Sequence, residues 1–432
     1  MKLKPYPKYK ESGVQWIGEV PEGWEDYKIR YLGIFQNGNG FPEELQGNGV
    51  GDIPFLKVSD INEPNVIYLD SGINYVTIKQ IAENKWSIIP ENSILFPKIG
   101  EAINKNHRKI NKINVIIDNN MSAFVKYNKF QYKYIYYIFK ELNMNDFLNI
   151  SAVPSINMDL LKSHRFPITE NSNEQEKITD FLDSKTSEIS KTIEADKKLI
   201  DLLKEKRTAL INHVVTKGLN PKARMKNSGI EWIGKVPEGW EVKKIKFFTT
   251  EKRNKATDTD NSGQFIGLEN IESMTGKIIS YNSIENLEGD SLKFKKDNVL
   301  FCKLRPYLAK VIVSETDGFC TSELIIYECD KNTNPSFLKY RLLSKAYIDY
   351  VNSLTEGVKM PRADPILLSN IKLPFPPKPE QLQISQYLDK STSKIDQTVK
   401  KIEEKIELLE EFKKSLIHHV VTGKVDVREA MA

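Results

Sequence analysis

Cysteine is almost absent from this chain. Three occur in 432 residues, Cys302, Cys320 and Cys329, all in the second half. That count and clustering suit a reducing cytoplasm better than a disulfide framework. Without Cys-x-x-Cys spacing, these thiols read as buried or free rather than metal-bound. No apolar run approaches the ~20 residues that cross a bilayer. Met1-Lys2-Leu3-Lys4-Pro5 lacks the apolar core of a secretion signal, so a cytoplasmic location with no membrane partner is expected. The five histidines form no metal pattern: His418 and His419 are adjacent and splay apart on a helix, and His213 aligns with His419. No Gly-x-x-x-x-Gly-Lys-Ser/Thr is present, and the Gly-rich stretch 37–51 lacks Gly-x-Gly-x-x-Gly spacing with a following helix. It reads as a loop, and the chain is expected to carry no nucleotide site. A net charge of +5 and a mean hydropathy of −0.45 describe a soluble chain that allows a polyanionic partner without demanding one.

What is present is duplication. Residues 12–25 read SGVQWIGEVPEGWE and residues 228–241 read SGIEWIGKVPEGWE. Pro21-Glu22-Gly23 and Pro237-Glu238-Gly239 are turn chemistry, flanked by Trp16 and Trp24, and by Trp232 and Trp240. These tryptophans read as docking anchors. A long helical pattern also occurs twice. Leu182, Ile189, Leu203 and Leu210, with Ile193, Ile200 and Val214, make a seam of period seven. It returns as Leu388, Ile395, Ile402, Leu409 and Leu416, with Val399, Ile406 and Val420. Each helix would be ~60 Å long. Single seams of equal length, separated by a domain-sized insert, favour an intramolecular pair over two oligomerisation zippers. Polar residues interrupt the seam at Asp196, Arg207 and Lys413, where they can fix register.

The fold class is α+β: two mixed β-rich domains separated by two long helices that form an intramolecular antiparallel coiled coil, with a pseudo-twofold internal repeat. The boundaries expected are a first β-rich domain over 1–172, a helix over 173–217, a second β-rich domain over 218–378, a helix over 379–422 and a tail over 423–432. Strands are expected at 53–58, 66–69, 93–97, 114–117, 264–268, 299–304, 309–313, 323–328 and 371–375. Helices are expected from Tyr132 to about Leu148 and from Asn334 to Tyr350, with loops at 152–155 and 357–364. Asn173 and Glu176 have capping-box spacing for the first long helix, which should stop near Lys217-Gly218.

Two stretches combine basic, amide and aromatic groups. One holds Lys98, Asn104, Lys105, Asn106, His107, Arg108, Lys109 and Lys112. The other holds Lys303, Arg305, Tyr307 and Lys310. Both follow an aligned Leu-Phe-x-Lys, at 95–98 and 300–303. Lys and Arg neutralise phosphates, while Asn and Arg read adenine and guanine edges. The loop with Lys359 and Arg362 parallels the one with Ser155 and Asn157 by the position of its proline. The blander reading of each residue is a solvated surface hairpin. Asp26-Tyr27-Lys28 and Glu241-Val242-Lys243 could mimic half of a metal-dependent nuclease site, but the repeat aligns Asp26 with Val242. No catalytic or metal residue is therefore assigned.

Leu368-Ser369-Asn370-Ile371-Lys372-Leu373-Pro374, then Pro376-Pro377 and Glu380-Gln381, is the most specific local pattern. With the Trp-Ile-Gly-x-Val-Pro-Glu-Gly-Trp motif in both halves, essentially the whole chain resembles the specificity subunit (S, HsdS) of type I restriction-modification systems. The first half departs from the pattern at Thr169-Glu170-Asn171-Ser172-Asn173, where a proline-rich run would stand, and keeps Glu174-Gln175. The resemblance implies two target-recognition domains, each reading part of a split, asymmetric site in double-stranded DNA. It implies paired helices that set the gap. Two modification subunits would bind S-adenosylmethionine and methylate adenine, and restriction subunits would cleave with ATP and Mg. This chain would be non-catalytic and would carry no cofactor. The reading from another class is a coiled-coil scaffold that binds no DNA.

Overall fold

The computed structural model describes residues 4–14, 16–62, 66–149, 152–256, 264–282, 290–357 and 359–430. Val358, within the loop expected over 357–364, lies outside them. Eight α-helices punctuate the described residues: α1 (Ile78–Asn84), α2 (Tyr132–Glu141), α3 (Met158–Ser163), α4 (Ser172–Lys217), α5 (Pro335–Leu343), α6 (Lys345–Ser353), α7 (Pro365–Asn370) and α8 (Lys378–Val421).

The chain folds as two compact units. One comprises residues 1–194 with 405–432, the other residues 195–404. Each long helix is therefore shared: the first part of α4 packs with the last part of α8, and the converse holds in the other unit. In the first unit, Lys413 donates to Ser190 Oγ at 2.6 Å. In the second, Arg207 Nε donates to Asp396 Oδ1 at 2.9 Å. Advancing along α4 from Arg207 to Gly218 moves the neighbour on α8 back from Asp396 to Glu380, as an antiparallel pair requires. The seam residues Leu182, Ile189, Ile200, Leu388, Ile395 and Leu416 are buried. Two of the polar interruptions are thus answered from the partner helix.

Strands in the first unit order as Gly33–Asn37, Met121–Lys126, Ile94–Pro97, Lys109–Asn111 and Tyr68–Leu69. The second unit repeats the first four as Thr249–Lys252, Leu324–Cys329, Val299–Cys302 and Val311–Val313. Ile94–Pro97 and Val299–Cys302 are buried along their whole length, which explains their unbroken apolar sequence in place of alternation. Beside each sheet a three-stranded sheet holds one parallel pair: Ile116–Ile117 on Ile53–Leu56, and Gly318–Cys320 on Gln264–Ile266. The copies diverge at the third strand. Asn74–Val76 flanks Ile53–Leu56, whereas Leu292–Phe294 flanks Gly318–Cys320.

The Trp motif and the Glu-Gln helix starts form one device. Trp24 and Trp240 are each 1% exposed, and their indole Nε1 groups donate to Glu174 and Glu380 at 3.2 Å in both units. Burial of such rings stabilises by about 2–3 kcal/mol each, and the carboxylate removes the cost of a buried N–H. Gln175 accepts from the backbone N–H of Gln131 and donates to the Thr169 carbonyl. Gln381 does the same with Asn334 and Pro376, so each glutamine ties the start of a long helix to the start of the short helix beside it. Gly218 (φ 73°) and Gly423 (φ 72°) end the long helices in the left-handed region. Each packs, with no side chain of its own, against the proline and tryptophan of a Trp motif: Pro237 and Trp240, and Pro21 and Trp24.

Three local expectations are corrected. Asn171, not Asn173, caps α4: its Oδ1 accepts from the N–H groups of Asn173 and Glu174 at 3.0 and 3.2 Å. The helix from Tyr132 ends at Glu141, and Met144–Phe147 forms a separate 3₁₀ turn begun by the Asn143 side chain. The span 334–350 is two helices, because Ser344 takes an extended conformation (ψ 137°) and its hydroxyl returns to the Arg341 carbonyl at 2.7 Å.

Candidate nucleic-acid interface

In each half, the loop after Leu-Phe-x-Lys is bridged to the proline loop in the same way. Gly100 N donates to the Pro154 carbonyl at 2.8 Å, and Ile156 N to the Lys98 carbonyl at 2.9 Å. In the second half Arg305 N donates to Pro361 O at 2.7 Å and Ala363 N to Lys303 O at 2.9 Å. Isolated bridges between Ile99 and Ser155 and between Leu304 and Arg362 complete each pairing. The structure therefore brings together stretches that are 54 to 60 residues apart in sequence, and does so twice.

Not every candidate side chain reaches the surface of these loops. Arg108 and Lys109 are 3% and 1% exposed. Arg108 donates to the Leu142 carbonyl at 3.0 Å and to Asn106 Oδ1 at 2.7 Å, and burial holds its guanidinium down to about 9. Lys109 donates to the Val66 carbonyl. Both brace the loop from beneath, as does Asn106, whose Oδ1 also accepts from Met144 N. Asn157 caps α3 through Leu160 N at 3.0 Å. Lys303 and Lys310 donate to the carbonyls of Ser322 and Leu268 at 2.7 and 2.6 Å. Half-buried His107 is held below the usual imidazole range, first by burial and then by Lys109. Lys112 lies over the Tyr68 ring at 4.1 Å.

The groups left facing outward are fewer. In the first half they are Asn104, Lys105 and Lys112, with half-buried Lys98 and Ser155. Lys98 donates to Asn37 Oδ1 at 2.9 Å, and burial lowers its ammonium pKa. Asn104 donates to Glu101 at 2.7 Å and Ser155 accepts from Asn149 at 3.1 Å. In the second half they are Tyr307, Lys359 and Arg362, with half-buried Arg305. Arg362 is aimed by Glu323, at 2.6 Å. The reading of the sequence did not single out Glu323, and nothing in the pattern around it would have done so.

Elsewhere, Asp26 pairs with Arg165, a structural contact between strands Glu25–Lys28 and Arg165–Ile168. Cys302, Cys320 and Cys329 are unbonded to one another. Burial pushes their thiols up to about 11, 12 and 12, unreactive at neutral pH. Among the described residues no cluster of His, Cys, Asp or Glu could hold a metal ion, and no helix is long and apolar enough to cross a membrane.

The family described as the type I restriction modification DNA specificity domain matches residues 21–199 and 237–408. The chain is 23% identical over 432 residues to the MjaVIII specificity subunit of Methanocaldococcus jannaschii, covering 95% of this chain and 94% of that one. It is 21% identical over 272 residues to the EcoDI specificity subunit of Escherichia coli, covering 59% of this chain and 61% of that relative. A structure from a study of type I R-M complex assembly superposes with a TM-score of 0.67 at 11% identity over 93% of this chain and 98% of that one. The HsdS subunit from Thermoanaerobacter tengcongensis superposes at 0.54 and 12% identity over 94% and 98%.

Proposed function

Because the chain belongs to the type I restriction-modification DNA specificity family, we propose that it is the non-catalytic subunit that chooses the DNA sequence on which such a complex acts. Residues 1–172 and 218–378 each read one half of a split, asymmetric site. The helices over 173–217 and 379–422 set the gap. Two modification subunits, which bind S-adenosylmethionine, and restriction subunits, which use ATP and Mg, supply the chemistry in the cytoplasm.

The observation that carries this reading is the duplicated loop pairing. One frame, 98–100 with 154–156 and 303–305 with 361–363, presents different side chains in its two copies. A shared frame with different outward groups is what reading two unlike half-sites requires. Lys105, Lys359 and Arg362 suit phosphates, while Asn104, Ser155, Arg305 and Tyr307 suit base edges.

The test is mapping of modified bases in host DNA, with and without the gene, partner genes retained. Loss of methyladenine from one two-part motif on deletion is the expected result. An unchanged map in cells that express active partners sinks the reading. Salt-sensitive binding of the purified protein to duplex DNA separates it from a scaffold role.

A further inference from the structure

Lys140, near the end of α2, stands between two adjoining cavities of the first unit. One, of about 400 Å³, is lined on its far side by Lys413 of α8. The other, of about 660 Å³, is lined by Lys105, Lys414 and His418. Lys140 lines both. Two carboxylates border these spaces, and both are already engaged. Asp183 accepts from Lys133 at 2.5 Å and from the Tyr137 hydroxyl at 2.7 Å; Glu141 is bonded to His418 Nδ1 at 2.6 Å. Among the described residues, four ammonium groups therefore face the cavities without an ion-pair partner, Lys413 being answered only at longer range by Glu410. Burial, then the like charges of Arg108, Lys413, Lys109 and Lys414, hold the Lys140 ammonium down to about 8.

The second unit shows how the same place is built when it holds an acid. Arg207 stands where Lys413 does, and Asp396 stands where Ser190 does. That carboxylate takes Arg207 at 2.9 Å and Lys277 at 2.6 Å. The counterpart of Lys140, three residues after the equivalent tyrosine, is Leu343, 7% exposed and apolar. One copy closes on an internal ion pair and an apolar side chain. The other lacks the acid and adds a cation, an arrangement that destabilises the ligand-free fold through self-repulsion.

We propose that these adjoining cavities are a phosphate-binding site, with Lys140, Lys413 and Lys414 holding the oxyanion, carried either by the DNA backbone or by a free polyphosphate. The spaces far exceed the roughly 30 Å³ of a water molecule. A lone carboxylate brings one charge against four, whereas linked phosphates bring several. Lysines suit phosphate as point charges that need no planar fork, and Asn143, whose amide has a second N–H beyond the one it gives Asp146, adds a neutral donor at the wall. The site stands whether or not the chain reads sequence, since Lys140, Lys413 and Lys414 lie outside the loops that pair, and of the four lysines Lys105 alone is common to both.

The test uses the full-length chain and the substitution Ser190→Asp, which installs the carboxylate that Asp396 supplies in the other copy. Binding of tripolyphosphate, followed by ³¹P NMR and by the rise in Tm, is expected for the native protein. It should fall about tenfold in Ser190→Asp, the worth of roughly one charged hydrogen bond, with the ligand-free Tm no lower. Lys140→Met, which restores the apolar character of Leu343, should lose binding in the same way. If the oxyanion belongs to DNA, both variants lower the salt slope of duplex binding by about 1, equally for all sequences. A free polyphosphate leaves DNA binding untouched. Equal tripolyphosphate binding by native and variant proteins, or none by the native protein together with an unchanged salt slope, overturns the site. Failure of the sequence-reading role would appear instead as native protein that shows no salt-sensitive duplex binding.

Discussion

Arg305 holds, in the second half, the backbone place that Gly100 holds in the first. Both donate their N–H to the carbonyl of a loop proline, Pro361 and Pro154, and both sit at positive φ, 52° and 89°. Glycine does this freely, whereas arginine in the left-handed region costs about 1–2 kcal/mol. A strained arginine at an exposed loop is a position where the side chain outweighs the backbone.

Arg305→Gly is therefore expected to leave stability within about 1 kcal/mol, since relief of strain offsets the added freedom of the unfolded chain. The same substitution should weaken or relax the half-site read by residues 218–378 and leave the other intact, by about 1–3 kcal/mol if the guanidinium reads a base. Denaturation and the methylation motif check the two halves of this expectation. Equal weakening on every sequence would make Arg305 a phosphate contact.

The Arg207–Asp396 pair is a buried ion pair, with the two side chains 8% and 18% exposed. Arg207 also donates to the carbonyls of Met274 and Thr275 at 3.0 and 2.9 Å. Asp396→Asn should cost about 3–5 kcal/mol, because it leaves Arg207 and Lys277 facing each other. The double variant Arg207→Met, Asp396→Leu should lose less than the sum of the two single changes. A double-mutant cycle in denaturant measures this.

His418 is held above the usual imidazole range, first by its hydrogen bond to Glu141 and against the effect of burial. Its folded pKa exceeds its unfolded value of about 6.5, so the stabilisation it provides is complete below that value. It is lost as pH rises through the folded pKa. The Tm difference between native protein and Glu141→Gln should thus be larger at about pH 5.5 than at about pH 8.5. A difference independent of pH would show that the pair is not charged.

Asn171→Ala should cost about 1 kcal/mol as the loss of an N-cap, and Asn173→Ala less than about 0.5 kcal/mol. Thermal unfolding of the two variants distinguishes them.

The sequence made the duplication legible because large apolar groups are hard to place otherwise. Trp24 and Trp240 need buried sites, and Leu182 and Leu388 need a seam. Residues whose role depends on one nearby atom were not legible. Asn171, Ser172 and Asn173 are all credible caps, and only the backbone path selects the first. Arg108 looked like its exposed neighbour Lys105 because nothing in a charged run marks which side chain turns inward. Glu174 and Glu380 were read as helix starts, and their task as acceptors for tryptophans 150 and 140 residues away in sequence appears only in three dimensions. The distinction between Ser190 and Asp396 is a difference between copies, visible once the repeat is aligned, yet without meaning until Lys413 and Arg207 are seen to point at them.

The glycine at the end of α8 has one more consequence. Gly423 receives Pro21 and Trp24 as Gly218 receives Pro237 and Trp240. Lys424 donates to the Glu19 carbonyl at 2.6 Å, Tyr9 to the Lys424 carbonyl at 3.2 Å, and Asp426 N to the Lys4 carbonyl at 2.8 Å. Residues 4–19 are thus fastened to residues 424–426 by hydrogen bonds within the first unit. The backbone between Lys217 and the second Trp motif performs covalently the joining that residues 424–426 perform through hydrogen bonds. The two copies of this junction therefore differ in covalent connection and agree in their glycine, proline and tryptophan contacts.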